Sequence, residues 1–562
     1  MSLPFDGKIL QMADLLRNAA TVQPEHGVGF VHPDRTVTFV TYPELLARSR
    51  RLLKGLQSLG MKPGDITILS LDSASEIIPV LWACFQGGII PALLQPPVSF
   101  SEYNPAAKKA EKVYRLLDHP YVILSHSHRE SWMTSGIPVF SLIDVTDIPE
   151  PEGEPEIPEI LTHHLAMLQF SSGSTGDPKG VMLTHHNIIH NISDIMTGFD
   201  LRPYDNLVSW MPLYHDMGLV GFHFTPITRG ANELFIDPAD FVKNPLLWLD
   251  AMDHKPSVVT GCPNFGQVIV NRSFARKKNP GWDFSGIRVI FNGAEPISVP
   301  TMNEFNNNLS AFGYHPSAML PCYGMAEATL AVSFTPLDQV PSVHTFRRSL
   351  LFGRGIAEET TGTDDAVQLV NLGKSLSYCE VMIAGEDGQP LPADRTGHVY
   401  VRGENVTSGY INNPEGTAAV IKNGWLHTGD LGFFHNRNLF IMGRLKDIIF
   451  INGINYYAHD LETVALQVEG VTYGRIVMAG YFEEREGRDK VLVFLVAPVN
   501  EASRELFRHL RQHFMKTIGL QLDVFISIKS NEIPRTSSGK IQRYKLVSRF
   551  LNGNFQGSTT IL

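Results

Sequence analysis

Apolar residues recur along the first hundred positions with two different periods. From Tyr42 to Leu59 they fall three and four apart, so Leu45, Leu46, Leu52, Leu53 and Leu56 share one face of a predicted helix. Gly60 ends that pattern. Ile66-Thr-Ile-Leu-Ser-Leu71 then reads as a short buried strand, and a helix is expected from about Ser75. The longest uncharged apolar stretch, Ile77 to Val98, is interrupted by Pro79, Gln86, Gly87-Gly88, Pro91 and Gln95. Those breaks predict a buried helix, a turn and a strand instead of a membrane span. Strand and helix alternating in this way favour a mainly parallel sheet covered by helices.

Two stretches break the alternation. Ile148 to Ile160 is acidic and proline-rich, and is expected to run over the surface as a connection. Ser333 to Val370 carries scattered turn residues, including the Thr-Thr-Gly-Thr-Asp-Asp run at 360–365, and reads as irregular chain. No internal repeat or heptad array is visible.

Length changes the picture: 562 residues exceed what one core organises, so two to four folding units are expected. A formal net charge of -10 argues against a nucleic-acid or anionic-membrane partner. The four cysteines (84, 262, 322 and 379) have no Cys-x-x-Cys spacing, which disfavours a disulfide framework or a zinc site and fits a reducing compartment. No secretory signal pattern is seen at the N-terminus, so the expected location is the cytoplasm. His163-His164 and His185-His186 lack metal-ligand spacing and are expected to be structural or exposed.

The chemistry begins at residue 165. An apolar strand-like run, Leu165 to Phe170, leads into Ser171-Ser-Gly-Ser-Thr-Gly-Asp-Pro-Lys-Gly180. Small residues let successive backbone N–H groups form a concave nest for phosphate oxygens, and Lys179 adds a cation. The spacing is not that of a Walker A loop, which disfavours a P-loop phosphotransferase. Downstream stand Asn292-Gly-Ala-Glu-Pro296, Tyr323-Gly-Met-Ala-Glu-Ala-Thr329, Trp425-Leu-His-Thr-Gly-Asp430, Gly443-Arg-Leu-Lys-Asp447 and Pro534-Arg-Thr-Ser-Ser-Gly-Lys540.

In identity and order these six motifs resemble the ANL adenylate-forming superfamily of acyl-CoA synthetases, peptide-synthetase adenylation domains and luciferases. The resemblance implies an α/β fold: a large N-terminal domain of helix-covered mixed sheets and a smaller, mobile α+β C-terminal lid. The division is expected at residue 445, giving 1–445 and 446–562, with Lys446 at the hinge. It also implies ATP and Mg2+ as cofactors. Ser171, Ser172, Gly173, Ser174, Thr175, Gly176 and Lys179 would hold phosphates. Gly293, Ala294, Glu295, Pro296, Cys322, Tyr323, Gly324, Met325 and Ala326 would surround the base. Asp430 and Arg444 would hold the ribose, and Glu327 the magnesium, for which a carboxylate is the expected ligand. Lys540 would carry the charge-stabilising ammonium, with Glu327 and His215 completing the catalytic set.

Finer features resemble the fatty acyl-AMP ligase branch: Leu168-Gln-Phe-Ser-Ser172, Ser209 through Gly218, Leu247-Trp-Leu249, Pro263-Asn-Phe265 and Tyr323 through Leu330. The segment with His215 stands where amino-acid-activating domains carry an aspartate for the substrate amine, and the neighbouring runs 219–224 and 263–265 are apolar. A fatty acid is therefore the expected substrate. The long connection between Thr329 and Gly373 matches an insertion of this branch (about 334–370) that implies restricted lid motion and an acyl carrier protein, acting in trans, as acceptor. A fatty acyl-CoA ligase and a non-catalytic nucleotide-binding scaffold remain as rivals. Two positions depart from the branch: Gly176-Asp177 where many relatives have a basic residue, and Asn452-Gly-Ile-Asn455, which lacks an arginine.

Overall fold

A computed structural model describes residues 11–97, 99–100, 104–138, 141–172, 177–274, 281–362, 365–451, 454–483, 488–536, 540–555 and 559–561. The early pattern folds as its periods require. Helix Tyr42–Ser58 starts at a Thr41 cap with Glu44 reaching back, and buries Leu45, Leu53 and Leu56. Strand Ile66–Ser70 follows, then helix Ala74–Gly87, whose residues from Ile77 onward are all buried. Gly88, at φ 65°, ends that helix in the left-handed region, and strand Ile90–Leu93 enters the sheet.

Two large sheets carry this part of the chain. The first runs Leu142–Asp144, Tyr121–Leu124, Ile66–Ser70, Ile90–Leu93, Leu165–Ser172, Pro178–Thr184, parallel until the last pair. The second has nine strands, parallel from Met319–Gly324 through Ile287–Asn292, Val258–Gly261, Asn206–Ser209 and Asn232–Ile236 to Gly27–Val31, with antiparallel edges. Buried residues of helices Met12–Val22, Tyr42–Ser58, Ala74–Gly87 and His185–Gly198 share one hydrophobic cluster with both sheets. A third, antiparallel sheet contains Cys379–Ala384, Gly397–Gly403, Trp425–His435 and Asn438–Arg444.

Past the short turn Leu445–Asp447 come the hairpin Ile448–Ile451/Ile454–Tyr457 and a sheet of Ile476–Glu483, Arg488–Val496, Val524–Ile528 and Thr559–Ile561. Helices Ala458–Ala465, Glu501–Ile518 and Arg543–Leu551 pack against it, with two hydrophobic clusters of their own. The whole is mixed α/β, a large N-terminal and a smaller C-terminal domain. Among the described residues no helix is long and apolar enough to cross a membrane.

The acidic connection at 148–160 is mostly exposed and crosses helix Tyr42–Ser58 at Gly55, where a Cβ would lie 2.1 Å from the Pro149 carbonyl oxygen. The irregular reading of 333–370 needs correcting. Strands Val343–Arg347 and Ala366–Val370 pair antiparallel around helix Arg348–Arg354. Phe346, Leu351, Phe352, Val367 and Leu369 form one cluster with Phe433, Phe440, Met442 and Tyr457. The buried Arg348 guanidinium pairs with Asp460 on the first C-terminal helix. These contacts are non-local, which is why short-range periodicity did not reveal the order.

One buried histidine links fold to pH. His185 Nδ1 accepts the Met12 N–H at 3.1 Å, satisfying an end group of the first helix. Burial, with the neighbouring His164, pulls its pKa down to about 4. The folded value lies below the ordinary 6.5, so the neutral ring's contribution is complete above about pH 6.5 and is lost as pH falls toward 4. The limiting loss is on the order of 3 kcal/mol. Urea unfolding at pH 7 and 4.5 should show a smaller drop for His185→Gln than for the wild type; identical pH slopes would remove His185 from the account.

Candidate active site

The parallel strands Ile287–Asn292 and Met319–Gly324 are neighbours, with Ile290 opposite Met319 and Asn292 opposite Pro321. Their carboxyl ends therefore deliver two of the predicted segments side by side, at the sheet edge where open α/β folds bind ligands. The approach is close. A Cβ on Gly293 would lie 2.7 Å from both the carbonyl oxygen and the sulfur of Cys322, and Ala294 adopts φ 70° just beyond. At Gly324 a Cβ would meet the Leu330 carbonyl oxygen at 1.8 Å. Ala294, Glu295 and Pro296 line one wall of a cavity of about 2270 Å³, and Cys322, Tyr323, Gly324, Met325 and Ala326 line the adjoining one.

The antiparallel sheet closes this cavity from the side. Asp430 and Arg444 are opposite each other in the register of Trp425–His435 and Asn438–Arg444. The buried Asp430 accepts a hydrogen bond from the Tyr323 hydroxyl at 2.6 Å and lies 3.2 Å from Arg444 Nε. Burial and the Asp430 charge push the Tyr323 hydroxyl well up, and Asp430 raises Arg444 further. Glu327, on the short turn Ala326–Ala328, accepts from the Tyr410 hydroxyl at 2.9 Å. Lys179 stands over the same Tyr410 ring, 4.8 Å from its centre. Lys179, Tyr410 and Glu327 thus form one connected set, with hard oxygen donors suited to a cation such as Mg2+.

The phosphate loop lies between strands Leu165–Ser172 and Pro178–Thr184, paired with Ser171 opposite Lys179 and Ser172 opposite Pro178. Gly173, Ser174, Thr175 and Gly176 lie outside the described residues. Asp177, where a basic residue was the pattern, pairs with the exposed Lys112 Nζ at 2.5 Å. Residues 452 and 453 of the other departure also lie outside the described residues.

The C-terminal domain contributes Lys540 to the same cavity. Its backbone is paired with Thr536: Thr536 N–H donates to the Lys540 carbonyl at 2.8 Å, and Lys540 N–H to Thr536 Oγ1 at 3.1 Å. Burial, then the Arg444 guanidinium, lowers the ammonium's pKa, while Asp216, Glu295 and Asp430 oppose that. Glu295 turns its carboxylate to the Phe265 N–H at 2.5 Å; burial raises its pKa against Lys540. His215 Nδ1 sits 2.8 Å from Asp216, which also accepts the Met217 N–H at 2.8 Å. Burial works to raise Asp216, yet His215 and Lys540 hold it below the usual carboxylate range. An anion is therefore present beside His215, and the Lys540 charge already acts on it.

Sequence reading missed two parts of the site. Gln169, on the strand before the loop, donates to the Tyr214 carbonyl at 3.0 Å and lines the cavity; its inward place in a strand of period two was the available signal. The apolar arm holds Gly221, Phe222 and Phe265 of the expected runs 219–224 and 263–265, but Ile195, Val268 and Ile269 come from two helices without a motif and were not named. Its wall at Met217–Phe224 is a wide π-helical turn, in which Thr225 Oγ1 bonds back to the Val220 carbonyl at 2.8 Å.

A family model described as AMP-binding enzyme matches residues 16–411. The putative ligase Rv1013 of Mycobacterium tuberculosis is 32% identical over 524 residues, covering 90% of this chain and 94% of that protein. The long-chain-fatty-acid–AMP ligase FadD32 of Mycolicibacterium smegmatis is 28% identical, covering 92% and 90%. A solved structure from a study of fatty acyl-adenylate ligases of E. coli and L. pneumophila superposes with a TM-score of 0.88 at 27% identity, covering 99% of both chains. With these matches and the motif geometry together, the chain belongs to the AMP-binding enzyme family, as an adenylate-forming ligase of the fatty acyl-AMP ligase branch.

Proposed function

We propose that the protein activates a fatty acid with ATP, forming acyl-AMP and pyrophosphate, and passes the acyl group to the phosphopantetheine thiol of an acyl carrier protein in trans. The observation that supports this best is one cavity in which an apolar arm and a polar, aromatic-walled arm meet at Lys540. In the first step a carboxylate oxygen attacks the α-phosphorus and the bond to pyrophosphate breaks. Two anions approach while charge builds, and the Lys540 ammonium stabilises that charge. In the second, the thiol sulfur attacks the acyl carbon and AMP leaves.

The remaining roles follow from position. Tyr323 offers the base an aromatic face, with Gly293 and Ala294 allowing the backbone near it. Asp430 and Arg444 hold the ribose. Lys179 and the loop from Ser171 to Gly176 hold phosphates, and Glu327, oriented by Tyr410, holds Mg2+, which neutralises phosphate charge. His215, which lines the cavity beside Asp216, completes the catalytic set. Residues 1–445 act as the body and 446–562 as a lid that turns about Lys446. The insertion restrains that lid through Arg348, Asp460 and the Phe352–Tyr457 ring contact at 5.1 Å.

Four outcomes test this reading. Lys540→Ala should lower acyl-AMP formation by about 10²–10³, the scale for losing one preorganised charge-stabilising group; a near-normal rate of pyrophosphate release would end that role. At Gly221 a Cβ would meet only Leu330 Cδ2, at 3.3 Å, so a larger side chain extends into the apolar arm. Gly221→Leu should shift the ratio of octanoate to dodecanoate activation upward by about tenfold, and an unchanged ratio would place the acyl chain elsewhere. Mass spectrometry of products from dodecanoate, ATP and Mg2+ should show transfer to a phosphopantetheinylated carrier and little to CoA. The double variant Arg348→Met/Asp460→Leu should raise acyl-CoA yield with adenylate formation retained. Efficient acyl-CoA formation by the wild type would make the protein an acyl-CoA ligase.

A further inference from the structure

We propose that His344, Glu359 and His435 form a binding site for a borderline-soft divalent cation, Zn2+ in particular, which clips the insertion to the antiparallel sheet. His344 is on strand Val343–Arg347 of the insertion, and His435 ends strand Trp425–His435 of the sheet. Glu359 is fixed beside them by a bridge to Phe346 and by Thr360 N–H donating to the Thr345 carbonyl at 2.9 Å. One ligand atom from each residue lies within 4.8 Å of the others. His435 Nε2 is 3.5 Å from Glu359 Oε1, and His344 Nδ1 touches the same oxygen. Ligand atoms around a tetrahedral ion bound at 2.0–2.2 Å stand about 3.2–3.6 Å apart, so small side-chain rotations complete the set.

The surroundings match what holds such ions elsewhere. Asp394 Oδ1 lies 2.6 Å from His435 Nδ1, fixing the proton there and turning the Nε2 lone pair toward Glu359. A carboxylate backing a histidine in this way orients a metal ligand and raises its basicity. The rings are walled by aromatics: Phe440 sits 5.2 Å from His344, and Phe346 5.4 Å from His435. Two imidazoles and one carboxylate select zinc-like ions over Mg2+, which takes an all-oxygen shell.

The set is distinct from the catalytic cavity, since none of the three side chains lines it. A competitor is present: Asn436 Nδ2 lies 3.0 Å from His435 Nε2 and must turn away when the ion binds. The ligands come from positions 344, 359 and 435, so a bound ion closes a long loop and ties the insertion to the body independently of the Arg348–Asp460 pair.

The test uses the full chain, stripped of metal and titrated with Co2+ and then Zn2+, with circular dichroism of each variant as a fold control. The expected result is the visible absorption of low-coordinate Co2+ at one site, displaced by one equivalent of Zn2+ and not by millimolar Mg2+. His435→Gln and Glu359→Gln should abolish the band, and Asp394→Asn should weaken Zn2+ binding by about tenfold or more. If folded variants keep the band, or the wild type shows none, the three residues are only a hydrogen-bonded cluster and the proposal is overturned.

Discussion

Asp430 is buried and sits where three parts of the protein meet. A buried carboxylate is tolerated only when its charge is matched and its oxygens are hydrogen-bonded. Here the partners come from different elements: the Tyr323 hydroxyl from the nine-stranded sheet, Arg444 from the strand that ends at the turn into the C-terminal domain, and, by charge, Lys540 from that domain itself. Satisfying one anion therefore fixes the aromatic wall, the antiparallel sheet and the approach of Lys540 together. Removing it would leave Tyr323 and Arg444 without their shared acceptor.

The same logic runs through the rest of the cavity. Asp216 is matched by His215 and Lys540, and Glu327 is held by Tyr410 beneath Lys179. Around these carboxylates cations and anions are interleaved, whereas Arg272, Arg475 and Arg535 stand together on another part of the cavity wall and repel one another. An incoming triphosphate would meet cations already paired with carboxylates, and the proposed magnesium would add positive charge there.

How much of this was legible in the sequence depended on the range of the constraint. Gly293 and Gly324 are demanded by a neighbouring backbone within 3 Å, so their motifs are rigid and readable. Helix Ala74–Gly87 was visible because it is apolar on every side, despite Pro79. Tyr323 and Asp430 could be named, but not their contact across 107 positions. The insertion was misread because its apolar residues pack on Phe433, Phe440 and Tyr457, far along the chain, with no local period to expose them. Ile195 and Val268 of the apolar arm were hidden for the same reason, although the run 219–224 beside them was legible, and so were His344, Glu359 and His435, which are neighbours only once the hairpin is formed.

The insertion's placement bears directly on the choice of acceptor. In the present arrangement Lys540 lies over the cavity, and Arg348 with Asp460, and Arg272 with the Tyr473 carbonyl at 2.5 Å, join the two domains. The lid rotation proposed for thioester formation would separate Arg348 from Asp460. Breaking such a pair costs about 3–5 kcal/mol while the charges stay buried, and less as water reaches them. A small thiol offers little new surface to offset that cost. On the proposed reading, a carrier protein docking on the turned lid would bury several hundred square ångströms per partner, on the scale that offsets such a cost. The pair would then discriminate by the size of the acceptor, and adenylation, which on that reading needs no lid rotation, would be left untouched.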